Sequence, residues 1–340
     1  MITTAIAKVI SKTDLSGDEM AEVMTAIMTG GVSPAQMAAF LVAMRMKGET
    51  VTEITAAARV MRSMAEKPGD APDNGCMLLD TCGTGGDARR TFNISTIACF
   101  VIAGAGVKVA KHGNRSVSSC CGSADLMQAL GIMLEFPPTK ICECIERVGM
   151  GFLYAPFFHR AMKYAAPVRK ELGVRTIFNL LGPLTNPVMA PAQLIGVFAP
   201  ELTETFARVL INLGCERALV VHGSDGLDEI TITGTTRITE VHRKEMRTYS
   251  LDPRSLGMAL GQPEELVSRS IEDNVAMCRE VLEGRGGARR NIVLLNSAAG
   301  LIAAGKVDDF PRGIAIAAES IDSGRARDVL DRLIRFTNDW

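Results

Sequence analysis

The sequence has almost no surplus of charge. Its 37 Lys and Arg against 38 Asp and Glu leave a formal net charge of −1. The field of the whole molecule therefore offers nothing to nucleic acid or to an anionic membrane, and any anion must be held by a local site. Long apolar runs are also missing. The longest nearly unbroken stretch, Ile97 to Val107, is far short of the roughly 20 residues that a membrane-spanning helix needs. The first residues carry acids at Asp14, Asp18 and Glu19 and no small-residue cleavage site, so no secretory signal is expected. The nine cysteines include no Cys-x-x-Cys pair, and neither Cys142-x-Cys144 nor Cys120-Cys121 has a second ligand pair at zinc spacing. They are expected to be small buried residues in a reducing compartment, which places the protein in the cytosol. No internal repeat or low-complexity segment is visible.

What the chain does have is a glycine turn. Residues 80 to 96 read Asp-Thr-Cys-Gly-Thr-Gly-Gly-Asp-Ala-Arg-Arg-Thr-Phe-Asn-Ile-Ser-Thr, preceded by Met77-Leu78-Leu79 and followed by an apolar stretch. That order predicts a buried strand, a turn and a helix N-terminus. Gly83, Gly85 and Gly86 allow positive φ and close approach of a ligand to the backbone. The amides of a first helical turn favour an anion, phosphate above all. A nucleotide P-loop is excluded because no lysine follows Gly86. A dinucleotide fingerprint is excluded because position 88 is Ala and no ribose-binding acid follows at the usual distance. A bare strand-to-helix turn competes with a phosphate site, but Asp87, Thr91, Asn93, Ser95 and Thr96 are more polar side chains than a bare turn needs.

At 340 residues the length suggests about two domains. Residues 1 to 65 read as helices. Capping boxes are expected at Ser16-x-x-Glu19 and Thr50-x-x-Glu53, with Ser33-Pro34 starting the helix between them and the last helix running to about Lys67. Met20, Val23, Met24, Ile27, Met37, Phe40, Leu41 and Met44 form apolar faces, suited to a small bundle or a dimer surface. Residues 68 to 75 are a linker, after which strands and helices alternate. Strands are expected at 77–80, Val107 to Ala110, Ile132 to Phe136, Leu194 to Phe198 and Ala218 to His222, with an antiparallel sheet over 227–250 and helices from about Ile271. Ser123 is expected to cap a helix, Pro137-Pro138 to open another, and 155–191 to be helical. This is α/β organisation: a small N-terminal helical domain and a large α/β domain with a mostly parallel central sheet.

Two further loops follow predicted strands, where open α/β sheets bind ligands. Lys111-His-Gly-Asn-Arg-Ser-Val-Ser-Ser119 offers two cations and several hydroxyls for phosphate. Gly223-Ser-Asp-Gly-Leu-Asp-Glu229 ends in adjacent carboxylates suited to Mg²⁺, which takes a few carboxylates together with waters and substrate phosphates. His112, His159, His222 and His242 show no nucleophile–base arrangement.

These segments carry a specific resemblance. Gly83-Thr-Gly-Gly-Asp87, Thr91-Phe-Asn-Ile-Ser-Thr96, Lys111-His-Gly-Asn-Arg115, Arg175-Thr-Ile-Phe-Asn-Leu-Leu-Gly-Pro-Leu-Thr-Asn-Pro187, Gly226-Leu-Asp-Glu229, Leu294-Leu-Asn296 and Glu319-Ser-Ile-Asp-Ser-Gly324 resemble the anthranilate phosphoribosyltransferases over essentially the whole chain. The resemblance implies a nucleoside phosphorylase-like fold. Residues 1–70, joined by helices around 160–188, would form the small domain and 76–340 the catalytic one, with the active site at the hinge and a homodimer built through the helical domain.

The resemblance also implies roles. Phosphoribosyl pyrophosphate would be cradled by Gly83, Gly86, Asp87, Thr91, Asn93, Ile94, Ser95 and Thr96. From the second loop would come Lys111, His112, Gly113, Asn114, Arg115, Ser116, Val117, Ser118 and Ser119, together with Ser123. Ser95, Asp228 and Glu229 would hold Mg²⁺, two ions per site. Anthranilate would meet Gly83, Asn114 and Arg169, with Arg169 pairing its carboxylate, and His112, Tyr154 and His159 would line its entry. The implied reaction is displacement of pyrophosphate at ribose C1 by the aniline nitrogen, for tryptophan biosynthesis. Lys111 and Mg²⁺ would stabilise the leaving group. This chain departs from the family pattern at Ala88-Arg89-Arg90, Cys120-Cys121 and His159-Arg160. Alternatives are transfer to another aromatic amine, a nucleoside phosphorylase of similar fold, or a paralogue that keeps the fold and binds nucleic acid or nucleotides. Arg169 speaks for a carboxylate-bearing substrate, and the near-zero net charge against nucleic acid.

Overall fold

The structure is a computed structural model that describes residues 1–69, 77–85, 90–116 and 121–339. Four helices open the chain: α1 (Ile2–Ile10), α2 (Gly17–Met28), α3 (Pro34–Lys47) and α4 (Val51–Ser63). Then β1 (Leu78–Gly83) leads to α5 (Ile94–Gly104), β2 (Lys108–Gly113), α6 (Ser123–Ala129), α7 (Ile141–Val148) and β3 (Met150–Tyr154). Short helices α8 (Ala155–Phe158), α9 (Ala166–Leu172) and α10 (Ile177–Leu181) precede β4 (Ala192–Gly196), α11 (Leu202–Asn212) and β5 (Arg217–Gly223). A hairpin of β6 (Thr236–His242) and β7 (Glu245–Leu251) follows. The chain then ends in α12 (Pro263–Leu266), α13 (Ile271–Leu282), α14 (Ala288–Ala303), α15 (Phe310–Asp322) and α16 (Arg325–Asn338).

The strands form one seven-stranded sheet in the order β3-β2-β1-β4-β5-β6-β7. The first five run parallel, and the β6–β7 hairpin adds antiparallel to β5. The architecture is the expected one, a small N-terminal helical domain beside a large α/β domain with a mostly parallel sheet.

One face of the sheet carries Leu79, Val109 and Leu194 against α5, α14 and α16, a cluster in which residues 292 to 303 of α14 are buried throughout. The other face presents Ile195, Ala218 and Val220 to the helical side. There Met20, Met24, Ile27, Phe40 and Met44 share an apolar cluster with Val168 of α9 and Phe178 and Leu181 of α10.

Local chemistry explains the helix starts. Ser16, Ser33 and Thr50 each accept a hydrogen bond from the N3 amide, while Glu19, Gln36 and Glu53 reach back to the cap amide. α3 stops at Gly48, whose φ of 90° suits a residue without Cβ, and α4 stops at Ser63, short of Lys67.

Three expectations change. Ile132 to Phe136 is not a strand: the Ile132 amide bonds back to Met127 O at 3.0 Å, and the Met133 amide bonds to Thr337 Oγ1 of α16 at 3.2 Å. Its alternating pattern buries Ile132, Leu134 and Phe136 without pairing them in the sheet. The parallel edge strand β3 has no counterpart among the expected strands. In 227–250 the ladder begins only at Thr236, the preceding residues forming a loop.

Glu53 is fully buried and more than a cap. Its carboxylate accepts from Leu15 N (2.9 Å), Thr50 N (2.8 Å), Thr50 Oγ1 (2.9 Å) and the Lys47 ammonium (2.9 Å). One side chain thus ties the α1–α2 loop, the end of α3 and the start of α4. Glu53→Ala leaves Lys47, itself nearly buried, without that partner. It is expected to destabilise the chain by about 3–5 kcal/mol, read as a lower urea midpoint with an unchanged slope.

Candidate active site

β1 lies between β2 and β4, and the chain proceeds from it first to β2 and β3 on one side, then to β4 and β5 on the other. This is a topological switch point, where the carboxyl ends of neighbouring strands open a crevice. The loops after β1, β2 and β5 converge on it.

The loop after β5 is drawn across the strand ends by the absence of side chains. Gly83 and Gly196 are neighbours in the β1–β4 ladder. A Cβ on Gly196 would fall on the Asp228 backbone, and one on Gly83 would meet the Asp228 carboxylate. Here glycine is required for space rather than for φ. Asp228 Oδ2 accepts from the Gly85 amide at 2.7 Å, and Glu229 Oε1 from the Ser95 amide at 3.1 Å. The loop is shaped from within by Asp225, which accepts from the Leu227 amide (3.2 Å), Thr231 Oγ1 (2.6 Å) and Thr233 Oγ1.

Burial and the neighbouring Asp228 charge push the Glu229 carboxyl up to about 8. Two carboxyl groups held side by side with a serine hydroxyl form an all-oxygen, hard donor set whose repulsion a divalent cation would relieve. The residues present therefore fit Mg²⁺. Among the described residues no group of three or more His, Cys, Asp or Glu gathers, in keeping with an ion that takes other ligands from substrate and water.

Lys111 is almost completely buried on the α5 face. Its ammonium donates to Thr81 O at 2.6 Å and to Ser95 Oγ at 3.4 Å. At the start of α5 the amides of Asn93, Ile94 and Ser95 are taken by Asn274 Oδ1 (2.8 Å), Phe92 O (2.8 Å) and Glu229. The place expected for an anion at this helix N-terminus is thus taken by the Glu229 carboxyl. Asn93 Oδ1 and Thr96 Oγ1 are buried without a partner. Thr91 forms an isolated bridge with Val267, and the Phe92 amide bonds to Leu266 O at 3.0 Å, so the end of α12 and the residue after it staple the segment that leads into α5. Gly86 and Asp87, with Ala88 and Arg89, lie outside the described residues.

The loop after β2 is organised by Asp125. Its carboxylate accepts from the Ser116 amide (3.1 Å), the Gly122 amide (2.9 Å) and Arg115 Nη1 (2.8 Å). Arg115 also reaches Gln128 and Tyr154 Oη. Gly122, not Ser123, is the N-cap of α6. The Ser123 hydroxyl instead donates to Asn114 O at 3.3 Å, and Asn114 Oδ1 accepts from the Arg115 amide. A Cβ on Gly113 would meet Ser123 and Phe152. Val117, Ser118, Ser119 and Cys120 lie outside the described residues.

His112 points to the other face of the sheet from Lys111. Its ring meets that of His159 edge-on, centroids 5.2 Å apart, both buried, and its amide donates to Asp80 Oδ1 at 3.2 Å. Burial pushes His112 down to about 3 and His159 to about 4, so both rings are neutral at neutral pH. Arg169, on α9, is half-buried with its guanidinium 5.2 Å from the Phe178 ring centroid, and among the described residues it has no carboxylate partner. Sequence reasoning missed Asp80, Asp125, Asn274 and the part played by Asn296, whose only signal was its place in the Leu294-Leu-Asn296 motif.

Comparison with known proteins extends this geometry. Residues 3–65 match the "Glycosyl transferase family, helical bundle domain" and residues 75–327 the "Glycosyl transferase family, a/b domain". The chain is 52% identical over 340 residues to the anthranilate phosphoribosyltransferase of Moorella thermoacetica, covering all of this chain and 99% of the relative. Its structure is similar to that of anthranilate phosphoribosyltransferase from Thermus thermophilus, with a TM-score of 0.92, 46% identity and coverage of 98% of this chain and 99% of that one. The enzyme from Saccharomyces cerevisiae, in complex with PRPP and Mg, matches with a TM-score of 0.91 and 27% identity over 100% of this chain and 98% of that one. That enzyme is also seen with 4-fluoroanthranilate, at a TM-score of 0.89 and 26% identity over the same shares of both chains.

The histidine pair generates a pH prediction. Both folded-state values lie below the ordinary 6.5, so below that pH the unfolded chain binds more protons than the folded one. The stability supplied by the neutral pair is complete above about pH 6.5 and is lost as pH falls toward 4. The loss at pH 4.5 is on the order of 2–3 kcal/mol per ring, at about 1.4 kcal/mol per pKa unit. Thermal melts of His159→Asn should show a shallower acid limb than the parent. An unchanged limb would show that other groups carry it.

Proposed function

The chain belongs to the anthranilate phosphoribosyltransferase family, and from that premise we propose that its switch-point crevice performs the family reaction. The 5-phosphoribosyl group passes from phosphoribosyl pyrophosphate to the amino group of anthranilate, giving N-(5-phosphoribosyl)anthranilate and pyrophosphate in a step of tryptophan biosynthesis. The observation that carries this is the Asp228-Glu229 pair, held over Gly83 and Gly196 beside Lys111 and the start of α5.

In the reaction the C1–O bond to pyrophosphate breaks, the C1–N bond forms, and the nitrogen sheds a proton. An aniline is a competent neutral nucleophile, so the chain's main tasks are positioning and charge. The loops after β1 and β2 grip the phosphates through Gly83, Gly86, Asp87, Thr91, Asn93 to Thr96, Lys111, Gly113 to Ser119 and Ser123, whereas the His112 ring, turned to the other face beside His159, takes no part in that grip. Asp228, Glu229 and Ser95 hold Mg²⁺, two ions per site, and when bound the metal supplies charge neutralisation for the departing pyrophosphate. Two of the three Lys111 ammonium protons are engaged by Thr81 O and Ser95 Oγ, leaving one donor for the leaving group. His112 contributes from the far side of the sheet, lining the anthranilate entry with His159 and Tyr154. Arg169, a desolvated cation without a carboxylate partner among the described residues, pairs the anthranilate carboxylate, with Gly83 and Asn114 completing that subsite.

We read 1–70 with 160–188 as one helical unit and 76–340 as the catalytic one, with the crevice at their hinge, and we place the protein in the cytosol. No helix among the described residues is long and apolar enough to cross a membrane, and no disulfide joins the described cysteines. A second copy of the chain is the partner we assign to the helical unit. An apolar groove of about 460 Å³ runs along Val9, Ile10, Ala39, Val42 and Met46, and Ile10, Val42 and Met46 are exposed.

Loss of anthranilate fluorescence with phosphoribosyl pyrophosphate and Mg²⁺ tests the function. Turnover is expected, and none at all with active controls present would end the assignment. Asp228→Asn with Glu229→Gln should abolish magnesium-dependent turnover in a folded protein. Arg169→Ala should raise KM for anthranilate about 10- to 100-fold, as for a lost charged hydrogen bond worth roughly 1.5–3 kcal/mol, with little change for phosphoribosyl pyrophosphate. For the partner, Met46→Glu should shift sedimentation from dimer to monomer. A parent that sediments as a monomer would refute the dimer.

A further inference from the structure

Residue 296 sits in the middle of α14, a helix whose neighbours Ile292, Val293, Leu294, Leu295, Ala298 and Ala299 are all buried and apolar. Asparagine is a poor choice there. It is a weak helix former, and burying its carboxamide is unfavourable unless every polar atom finds a partner. All of them do. Oδ1 accepts from the Ile230 amide at 3.0 Å, and Nδ2 donates to Ile230 O at 2.9 Å and to Ile292 O at 2.9 Å. The two bonds to Ile230 satisfy both backbone groups of one residue, as a neighbouring strand would, in a loop that no strand flanks at that point.

Ile230 directly follows Glu229. The acidic pair is therefore fixed from two sides: Asp225 fastens the loop before it through Leu227 and after it through Thr231 and Thr233, and Asn296 clamps the residue in between. The clearance beneath is small, because Asp228 rests on Gly83 and Gly196. A backbone shift at residue 230 would move Glu229 from the Ser95 amide and Asp228 from the Gly85 amide.

We propose that Asn296 is a positioning residue for the cation-binding acids, acting through the backbone of Ile230 to set the separation and aim of Asp228 and Glu229. The proposal rests on those two acids being the Mg²⁺ ligands. Mg²⁺ demands near-ideal octahedral geometry, and outer groups that orient its ligands typically contribute about 10- to 100-fold to metal affinity.

The test uses the full chain with Mn²⁺ alone as the probe, followed by loss of the free-ion EPR signal, and amide hydrogen exchange over residues 228–231 in the cation-free protein. Asn296→Asp keeps the size and one acceptor but sets an oxygen against Ile230 O, whereas Asn296→Leu removes both bonds. Each is expected to weaken Mn²⁺ binding about 10- to 100-fold and to speed exchange at 228–231. Ser320→Ala, which removes a buried bond to Val101 O, should lower the melting temperature while leaving both readouts unchanged. Parent-like Mn²⁺ affinity in both Asn296 variants would overturn the proposal. Should neither variant fold, exchange in the parent decides: an Ile230 amide that exchanges as fast as an open loop overturns it, and a protected one supports it. Asp228→Asn with Glu229→Gln runs in parallel. If that protein binds Mn²⁺ like the parent, the ligand assignment fails and the role of Asn296 with it. If it loses binding while the Asn296 variants keep it, only the positioning role falls.

Discussion

Asp228 has to cross the ends of two adjacent parallel strands, and there is room for it only because Gly83 and Gly196 carry no side chain. This one close approach connects features that otherwise look separate. It explains why β1 ends in glycine, why its ladder partner on β4 is also glycine, and why the turn after β1 can offer the Gly85 amide to a carboxylate. It brings the acids of the β5 loop to the start of α5, where Glu229 meets Ser95 and Ser95 meets Lys111. The parallel sheet supplies the switch point, and the missing Cβ atoms let a third loop settle into it.

The two faces of the sheet solve different electrostatic problems. On the α5 face a buried lysine and a pair of acids are kept close, and burial together with the neighbouring Asp228 raises Glu229 to about 8 against the opposing pull of Lys111. The pair avoids like-charge repulsion by keeping a proton on Glu229, which a cation could displace. On the opposite face His112 and His159 are stripped of water and left neutral, on the side of the sheet that faces Arg169 and the helical unit. The half-buried Arg169 and Arg62 bring desolvated cations to the same side. The two faces thus differ in kind, one acidic around a buried lysine and the other lined by neutral imidazoles.

Much of this was legible in the chain. The capping boxes at Ser16 and Thr50, the glycine turn, the Lys111 loop and the Asp228-Glu229 pair all rely on chemistry within a few residues, which a sequence displays directly. Most of the misses share a different character. β3 is a five-residue edge strand whose pairing with β2 is long-range, and Ile132 to Phe136 alternates like a strand but packs against α16 from the far end of the chain. Asn274 and Asn296 act on backbone groups far along the chain, Asn274 and Asn93 being separated by 181 positions, whereas Asp125 works within ten residues and was missed because glycine, not a capping side chain, opens its helix. A lone buried asparagine in an apolar helix looks like a flaw until its partner is seen. Of the departures from the family pattern, Ala88, Arg89 and Cys120 lie outside the described residues, while Arg90, Cys121, His159 and Arg160 lie within them.

Separation along the chain also sets an order in time. The bonds that make Glu53 a hub span at most 38 positions, so the first helices can cap and tie themselves together while synthesis is still early. The crevice cannot do the same. The Gly85–Asp228 bond closes over 143 positions, and Ile230 gains its clamp only when Asn296 has arrived. Long-range closures are slow because the entropy of the intervening chain must be given up first. A nascent chain therefore carries a capped helical start long before it can hold a substrate, and catalytic competence is among the last properties the polypeptide acquires.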